Sequence, residues 1–101
     1  MLKTEITNTS EGVVVVVDGR LDTASAADFE KDISIVKESD NLNVIIDCTG
    51  LSYISSTGLR IFLLLQKKVN AHKGTLKIRN MNQMIKDIFD MTGFSNFFIF
   101  E

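Results

Sequence analysis

The chain opens on an alternation. Leu2, Thr4 and Ile6 are separated by Lys3, Glu5 and Thr7, the two-residue period of a short strand with one wet face. Asn8-Thr9-Ser10-Glu11-Gly12 is a turn cluster. Residues 13–17 are all valine, a β-branched run that predicts a second strand, ended by Asp18-Gly19. So short a polar link makes these two strands an antiparallel pair. The period then changes to three and four. Ala26, Phe29, Ile33 and Val36 follow a capping residue around Asp22-Thr23, which predicts an amphipathic helix over 23–38, broken by Ser39-Asp40-Asn41. Residues 43–48 show no alternation, the pattern of a strand covered on both faces. Strand, helix and strand together form a parallel crossover unit.

Thr49-Gly50-Leu51-Ser52-Tyr53-Ile54 is a loop, and Ser55-Ser56-Thr57 caps a second helix with Leu59, Phe62, Leu63, Leu65 and Val69 facing inward or partly inward. Lys67, Lys68 and Lys73 complement its dipole near the end, and Gly74 closes it. Leu76 and Ile78 alternate with Thr75, Lys77 and Arg79 in a fourth strand. Asn82 caps a third helix bearing Met84, Ile85, Ile88 and Phe89. Gly93 suits a left-handed end, with Phe94 placed to meet Phe89. Residues 97–100 form a final apolar strand. The order ββαβαβαβ predicts one α/β domain over 1–101: a mostly parallel mixed sheet with an N-terminal antiparallel strand, and helices packed on it.

Composition narrows the function. One hundred and one residues, 45% of them hydrophobic, fit one domain with a real but small core, which argues against a deep substrate cleft. The net charge of −2 comes from 11 basic and 13 acidic residues, without the basic excess of a nucleic-acid or anionic-membrane binder. The longest apolar runs, 13–17 and 61–65, are far short of the roughly 18 residues of a membrane span. Residues 1–7 lack the apolar segment of a signal peptide. The single cysteine, Cys48, forms no internal disulfide, in keeping with a reducing compartment. The expectation is a cytoplasmic protein with neither nucleic acid nor membrane as partner.

Open α/β sheets place function in the loops after their strands. Two stand out: Gly19-Arg20-Leu21-Asp22-Thr23, and the stretch 51–59 from Leu51 to Leu59. Both follow strands of one crossover unit, so they should lie side by side, with an exposed hydroxyl cluster near one carboxylate. The plainest role for Ser55-Ser56-Thr57 is helix capping. The second is phosphorylation: a phosphate adds about −1.5 to −2 charge at pH 7, and a helix N-terminus accommodates it. Asp22 would oppose that charge. The two roles are compatible.

Enzyme chemistry finds no support. The only histidine, His72, lies about 24 Å from Ser56 along the same predicted helix, at roughly 1.5 Å per residue, too far to act as its base. The GxSxG elbow is absent. Asp47 ends a strand as a receiver-domain acceptor would, but Asp18 and Asp22 do not form the adjacent acidic pair that a Mg²⁺ site needs. Asp18, Asp22 and Asp47 have no ligand spacing. Cys48 reads as a packing residue, and Met81, Met84 and Met91 as core and edge packing rather than a cofactor site. No catalytic residue, metal or cofactor is expected.

Gly19-Arg20-Leu21-Asp22, then 51–59 with Ile54-Ser55-Ser56-Thr57-Gly58-Leu59, then Phe89-Asp90-Met91-Thr92-Gly93-Phe94 resemble, in this order and spacing, the STAS domain of bacterial anti-sigma factor antagonists. The resemblance spans nearly the whole chain. It implies the STAS fold and a partner-switching role. The unphosphorylated form binds a serine-kinase anti-sigma factor and so frees a sigma factor. The kinase phosphorylates one serine to end the interaction, and a PP2C-type phosphatase restores it. Carried onto this chain, the acceptor is Ser56, two places before Gly58, with Asp22 beside it. Leu21, Thr23, Ile54, Ser55, Thr57, Gly58, Leu59 and Arg60 form the adjoining docking surface. Many members carry Asp immediately before the acceptor, where this chain has Ser55, a rival acceptor. Many also continue into a last helix beyond the position of Glu101. The alternative from a different class is a STAS subunit of a signalling scaffold or transporter complex, without a phosphorylation cycle.

Overall fold

A computed structural model of the chain describes residues 2–10, 12–37 and 43–101, with Lys37 described in its backbone only. Glu11 of the expected turn, and the expected helix end at Glu38 with its break at Ser39-Asp40-Asn41, lie outside the described residues. Strands β1 (Leu2–Thr9) and β2 (Gly12–Leu21) pair antiparallel, with Thr9 opposite Gly12. Helix α1 (Thr23–Lys37) precedes β3 (Asn43–Ile54), which runs parallel to β2. Then come α2 (Ser56–Ala71), β4 (Thr75–Arg79), α3 (Gln83–Thr92) and β5 (Ile99–Phe100), with β4 parallel to both β3 and β5. The sheet order is the chain order, β1-β2-β3-β4-β5.

That order decides where the helices go. Each parallel step moves one strand in the same direction, and crossovers are right-handed, so α1, α2 and α3 fall on one face. Phe29 of α1, Phe62 of α2 and Phe89 of α3 meet there, with ring centroids 5.7 Å apart for the first pair and 6.0 Å for the second. Phe98 closes the row at 5.5 Å from Phe89. Val13, Val15 and Val17, with Val44, Ile46, Cys48, Leu76 and Ile78, supply the sheet side of this cluster. β3 is therefore helix-covered on one face, which corrects the expectation of cover on both. Ile45 points away from the cluster by the pleat and is buried all the same, in register between Val14 and Lys77.

The two central strands run further than their sequence pattern predicts. Asp18-Gly19 does not end β2, and 49–54 is strand rather than loop. The register moves from Val16↔Asp47 to Asp18↔Gly50 and from Gly19↔Leu51 to Arg20↔Tyr53, so β3 absorbs an extra residue at each of two bulges. Asp47 Oδ1 anchors the first, accepting the Thr49 N–H at 3.0 Å and the Thr49 hydroxyl at 2.6 Å. Ser52 Oγ anchors the second by donating to the Gly19 carbonyl at 2.9 Å. At the first bulge Gly50 lies close against Asp18: a Cβ there would come within 2.6 Å of Asp18 Oδ1, so the exposed carboxylate would have to move.

Element ends bring further corrections. Past α2 the left-handed position is taken by Lys73 (φ 60°), and Gly74 instead donates its N–H to the Val69 carbonyl at 2.8 Å. Asn82 caps α3 as expected and also donates to the Leu51 carbonyl at 3.1 Å, tying α3 to β3. Gly93 ends α3 in the left-handed region. Phe94–Phe97 is a 3-10 turn, so the last strand is only Ile99–Phe100. Phe94 makes its ring contact with Phe97, while Phe89 faces Phe62, Phe98 and Phe100. Met81 packs against the core, but Met84 and Met91 are exposed. No helix among the described residues is long and apolar enough to cross a membrane.

Candidate functional site

The ends of β2 and β3 are neighbours, Leu21 opposite Ile54. The Ser55 N–H donates to the Leu21 carbonyl at 2.8 Å, so α1 and α2 begin level with each other at one edge of the sheet. The two predicted loops thus come together as expected, although Gly19, Arg20 and Leu21, and Leu51 to Ile54, belong to strands.

Asp22 caps α1. Its Oδ1 accepts the Ser25 N–H at 3.0 Å, while the Asp22 N–H donates to Ser25 Oγ at 3.0 Å, a reciprocal cap. The backbone N–H of Ser25, and then its hydroxyl, hold the Asp22 carboxyl below its ordinary value, with Arg20 Nε at 3.9 Å adding a smaller effect. Asp22 is thereby a fixed negative charge at neutral pH.

The three hydroxyls at the start of α2 are not equivalent. Ser55 is the N-cap: its backbone is extended, and its Oγ accepts the Gly58 N–H at 3.2 Å. Ser56 is the first helical residue, exposed and without a side-chain partner among the described residues. Thr57 and Arg60 are exposed beside it, as is Thr23 at the start of α1. Leu21, Ile54, Gly58 and Leu59 are buried beneath them. Gly58 lets α2 approach that closely, because a Cβ would lie 2.7 Å from Leu21 Cγ and 3.0 Å from Ile54 Cγ1. Since Leu21 is fully buried, its side chain has nowhere to retreat.

Ser25 lies outside the two stretches singled out in the sequence, and the contact between Arg20 and Tyr53, one from each stretch, was not anticipated. Ser25 completes the Asp22 cap, a signal readable in the spacing of three. Arg20 stacks its guanidinium on Tyr53, 4.4 Å from the ring centroid, beside the Asp22 carboxylate. No sequence signal links these two, because the second bulge sets them opposite each other.

Elsewhere the reactive side chains are otherwise engaged. Burial, and then the Asp47 charge, push the Cys48 thiol up to about 12, so it stays a neutral packing group. Asp47 is held low first by the Thr49 hydroxyl it anchors. His72 is the exposed C-cap of α2, at the opposite end from Ser56.

The profile of the STAS domain family matches residues 3–101. The anti-sigma-B factor antagonist of Bacillus subtilis is 27% identical over 93 residues, covering 91% of this chain and 84% of its own length. The crystal structure of an anti-sigma factor antagonist from Mycobacterium paratuberculosis matches with a TM-score of 0.89 at 21% identity, over 99% of this chain and 85% of that one. The Bacillus cell fate determinant SpoIIAA in its phosphorylated form matches with a TM-score of 0.75 at 20% identity, over 100% of this chain and 91% of that one. These structures share the fold: a five-stranded mixed sheet with helices on it. With its profile matched from the first strand to the last residue, the chain belongs to the STAS domain family.

Proposed function

We propose that the protein is an anti-sigma factor antagonist whose unphosphorylated form binds a serine-kinase anti-sigma factor in the cytoplasm and so frees a sigma factor. Phosphorylation of Ser56 ends that binding, and a PP2C-type phosphatase restores it. The relatives named as antagonists support the role. The observation that carries the site is the division of labour between two serines: Ser55 spends its hydroxyl oxygen on the helix cap, and Ser56 presents a free, exposed hydroxyl one residue later.

The physics of the switch follows. A phosphate on Ser56 sits at the positive end of α2, so the fold tolerates it. It also sets about −1.5 to −2 charge next to the fixed carboxylate of Asp22, deepening the negative charge that a partner reads at that edge. Thr23, Thr57 and Arg60 form the contact surface, and buried Leu21, Ile54, Gly58 and Leu59 set its shape. On this reading the protein performs no catalysis itself: Ser56 is the substrate of another enzyme. Incubation with the cognate kinase and ATP, followed by localisation of the modification, tests the assignment. Phosphate on Ser56, and none on a Ser56→Ala chain, is expected; a Ser56→Ala chain labelled as well as the parent rules it out.

A further inference from the structure

The sheet has two unlike edges. At one, β5 is only two residues long; at the other, β1 offers eight, in unbroken register with β2 from Leu2↔Gly19 to Thr9↔Gly12. Every second residue of β1 turns its N–H and carbonyl away from β2, towards an edge that no further strand covers among the described residues. β1 carries neither a proline nor a bulge, two devices that protect such an edge. Helix α1 does not close it either. Between α1 and β1 lies an open cavity of about 290 Å³, lined by Leu2 and Thr4 on the strand and by Asp28 and Asp32 on the helix. On the helix side of β1, Leu2 and Ile6 are half-buried against the core. On the other side Lys3 and Glu5 are exposed and paired with each other, Nζ to Oε1 at 3.2 Å.

We propose that this edge pairs antiparallel with β1 of a second copy of the chain, about a two-fold axis through Thr4. The charge pattern selects both the occupant and the register. Two strands join only through residues that both face the edge, so the axis passes through a residue. An axis at Lys3 or Glu5 sets like charges opposite each other, which is destabilising. One at Ile6 leaves both charges opposite threonines, Lys3 against Thr9 and Glu5 against Thr7. Only the axis at Thr4 sets Lys3 of each copy opposite Glu5 of the other, and Leu2 of each opposite Ile6 of the other. The four charges then alternate in sign around the axis, so the ion pair within each strand is kept and cross-strand pairs are added. Paired residues share a face, so the two five-stranded sheets become one with all the helices on the same side. Asp28 and Asp32 of both copies share that side, and their like charge keeps the pairing reversible. Each copy uses its one long edge, so assembly stops at two. The inference is independent of the partner-switching role.

Sedimentation velocity of the intact chain from about 1 μM to 1 mM should show one transition, from a species of 11.3 kDa to a dimer. Lys3→Glu and Glu5→Lys each set like charges opposite each other in both contacts, and each should weaken self-association by about 10-fold or more. Mixed in equal amounts, the two variants should associate as tightly as the parent, because each supplies the charges that the other lacks. Both positions are exposed, and circular dichroism should show the folds intact. A short thiol-to-thiol crosslinker should join Thr4→Cys chains into dimers, since the two side chains at the axis lie about 4.5–5.5 Å apart. It should not join Thr7→Cys chains, whose thiols would be about 20 Å apart at roughly 3.4 Å per residue; Cys48 is buried and does not compete. A chain that stays monomeric over the whole range overturns the inference. So does association that the charge variants leave unchanged, or weaken without recovery on mixing, which would put the contact on another face. Crosslinking at Thr7 in preference to Thr4 overturns the register and with it the proposal, as do species larger than a dimer.

Discussion

The N–H of Ser55 donates to the carbonyl of Leu21 at 2.8 Å, and this bond joins the end of β2 to the start of α2. It fixes how the Asp22 carboxylate, one residue after Leu21, lies relative to the Ser56 hydroxyl, one residue after Ser55. The candidate switch is thus built across two strands adjacent in the sheet and is as rigid as their pairing.

The cap and the acceptor are separable. Ser55→Ala removes the oxygen that accepts the Gly58 N–H and should cost about 1 kcal/mol, as N-cap losses do. Ser55→Asp should restore most of it. Both variants should still be phosphorylated on Ser56. Chemical denaturation reads the first effect and peptide mass spectrometry the second; loss of phosphorylation in Ser55→Ala would move the acceptor to Ser55.

Gly58→Ala sets two effects against each other. Alanine favours helix over glycine by up to about 1 kcal/mol, but its Cβ meets fully buried Leu21 at 2.7 Å. Overpacking of this kind costs about 1–3 kcal/mol, so net destabilisation is expected, with α2 pushed off the strand ends. A more stable Gly58→Ala chain in urea unfolding would refute the close packing.

Acid should weaken the helix start through Asp22. Its carboxyl titrates below the ordinary 3.8 because Ser25 hydrogen-bonds the ionised form. The stabilising contribution is therefore complete above that unfolded value and is lost as pH falls through the lower folded one. Carbon-detected NMR titration should find a midpoint below 3.8 in the parent and a higher one in Ser25→Ala. An unmoved midpoint would remove the Ser25 hydroxyl as a cause and leave only its backbone N–H.

Phe62 joins the helix layer, touching the rings of Phe29, Phe89 and Phe98. Phe62→Ala should cost about 3–5 kcal/mol, a large share of the roughly 5–15 kcal/mol available to a small domain. A loss under about 1 kcal/mol in denaturant would mean that the aromatic row is not what holds α1, α2 and α3 together.

The ββαβαβαβ order was legible because each element carries its own period: the alternation of β1, the three-and-four spacing of α1, and the capping Asn82. The extents of β2 and β3 were not. Asp18-Gly19 and Thr49-Gly50 look like breakers locally. They continue as strand because Gly50 packs against Asp18 and Ser52 satisfies Gly19, contacts between residues 32 or 33 positions apart in sequence. The run Ser55-Ser56-Thr57 was legible as a helix start. Which hydroxyl caps and which stays free depends on backbone geometry that three similar residues do not encode.

The central claim is that a phosphate on Ser56 ends partner binding. The most direct measurement titrates the cognate anti-sigma factor with the same preparation before and after complete phosphorylation. The account predicts tight binding before, loss of at least about 100-fold after, and recovery on treatment with a PP2C-type phosphatase. Equal affinity of the Ser56-phosphorylated and unmodified chains would contradict it.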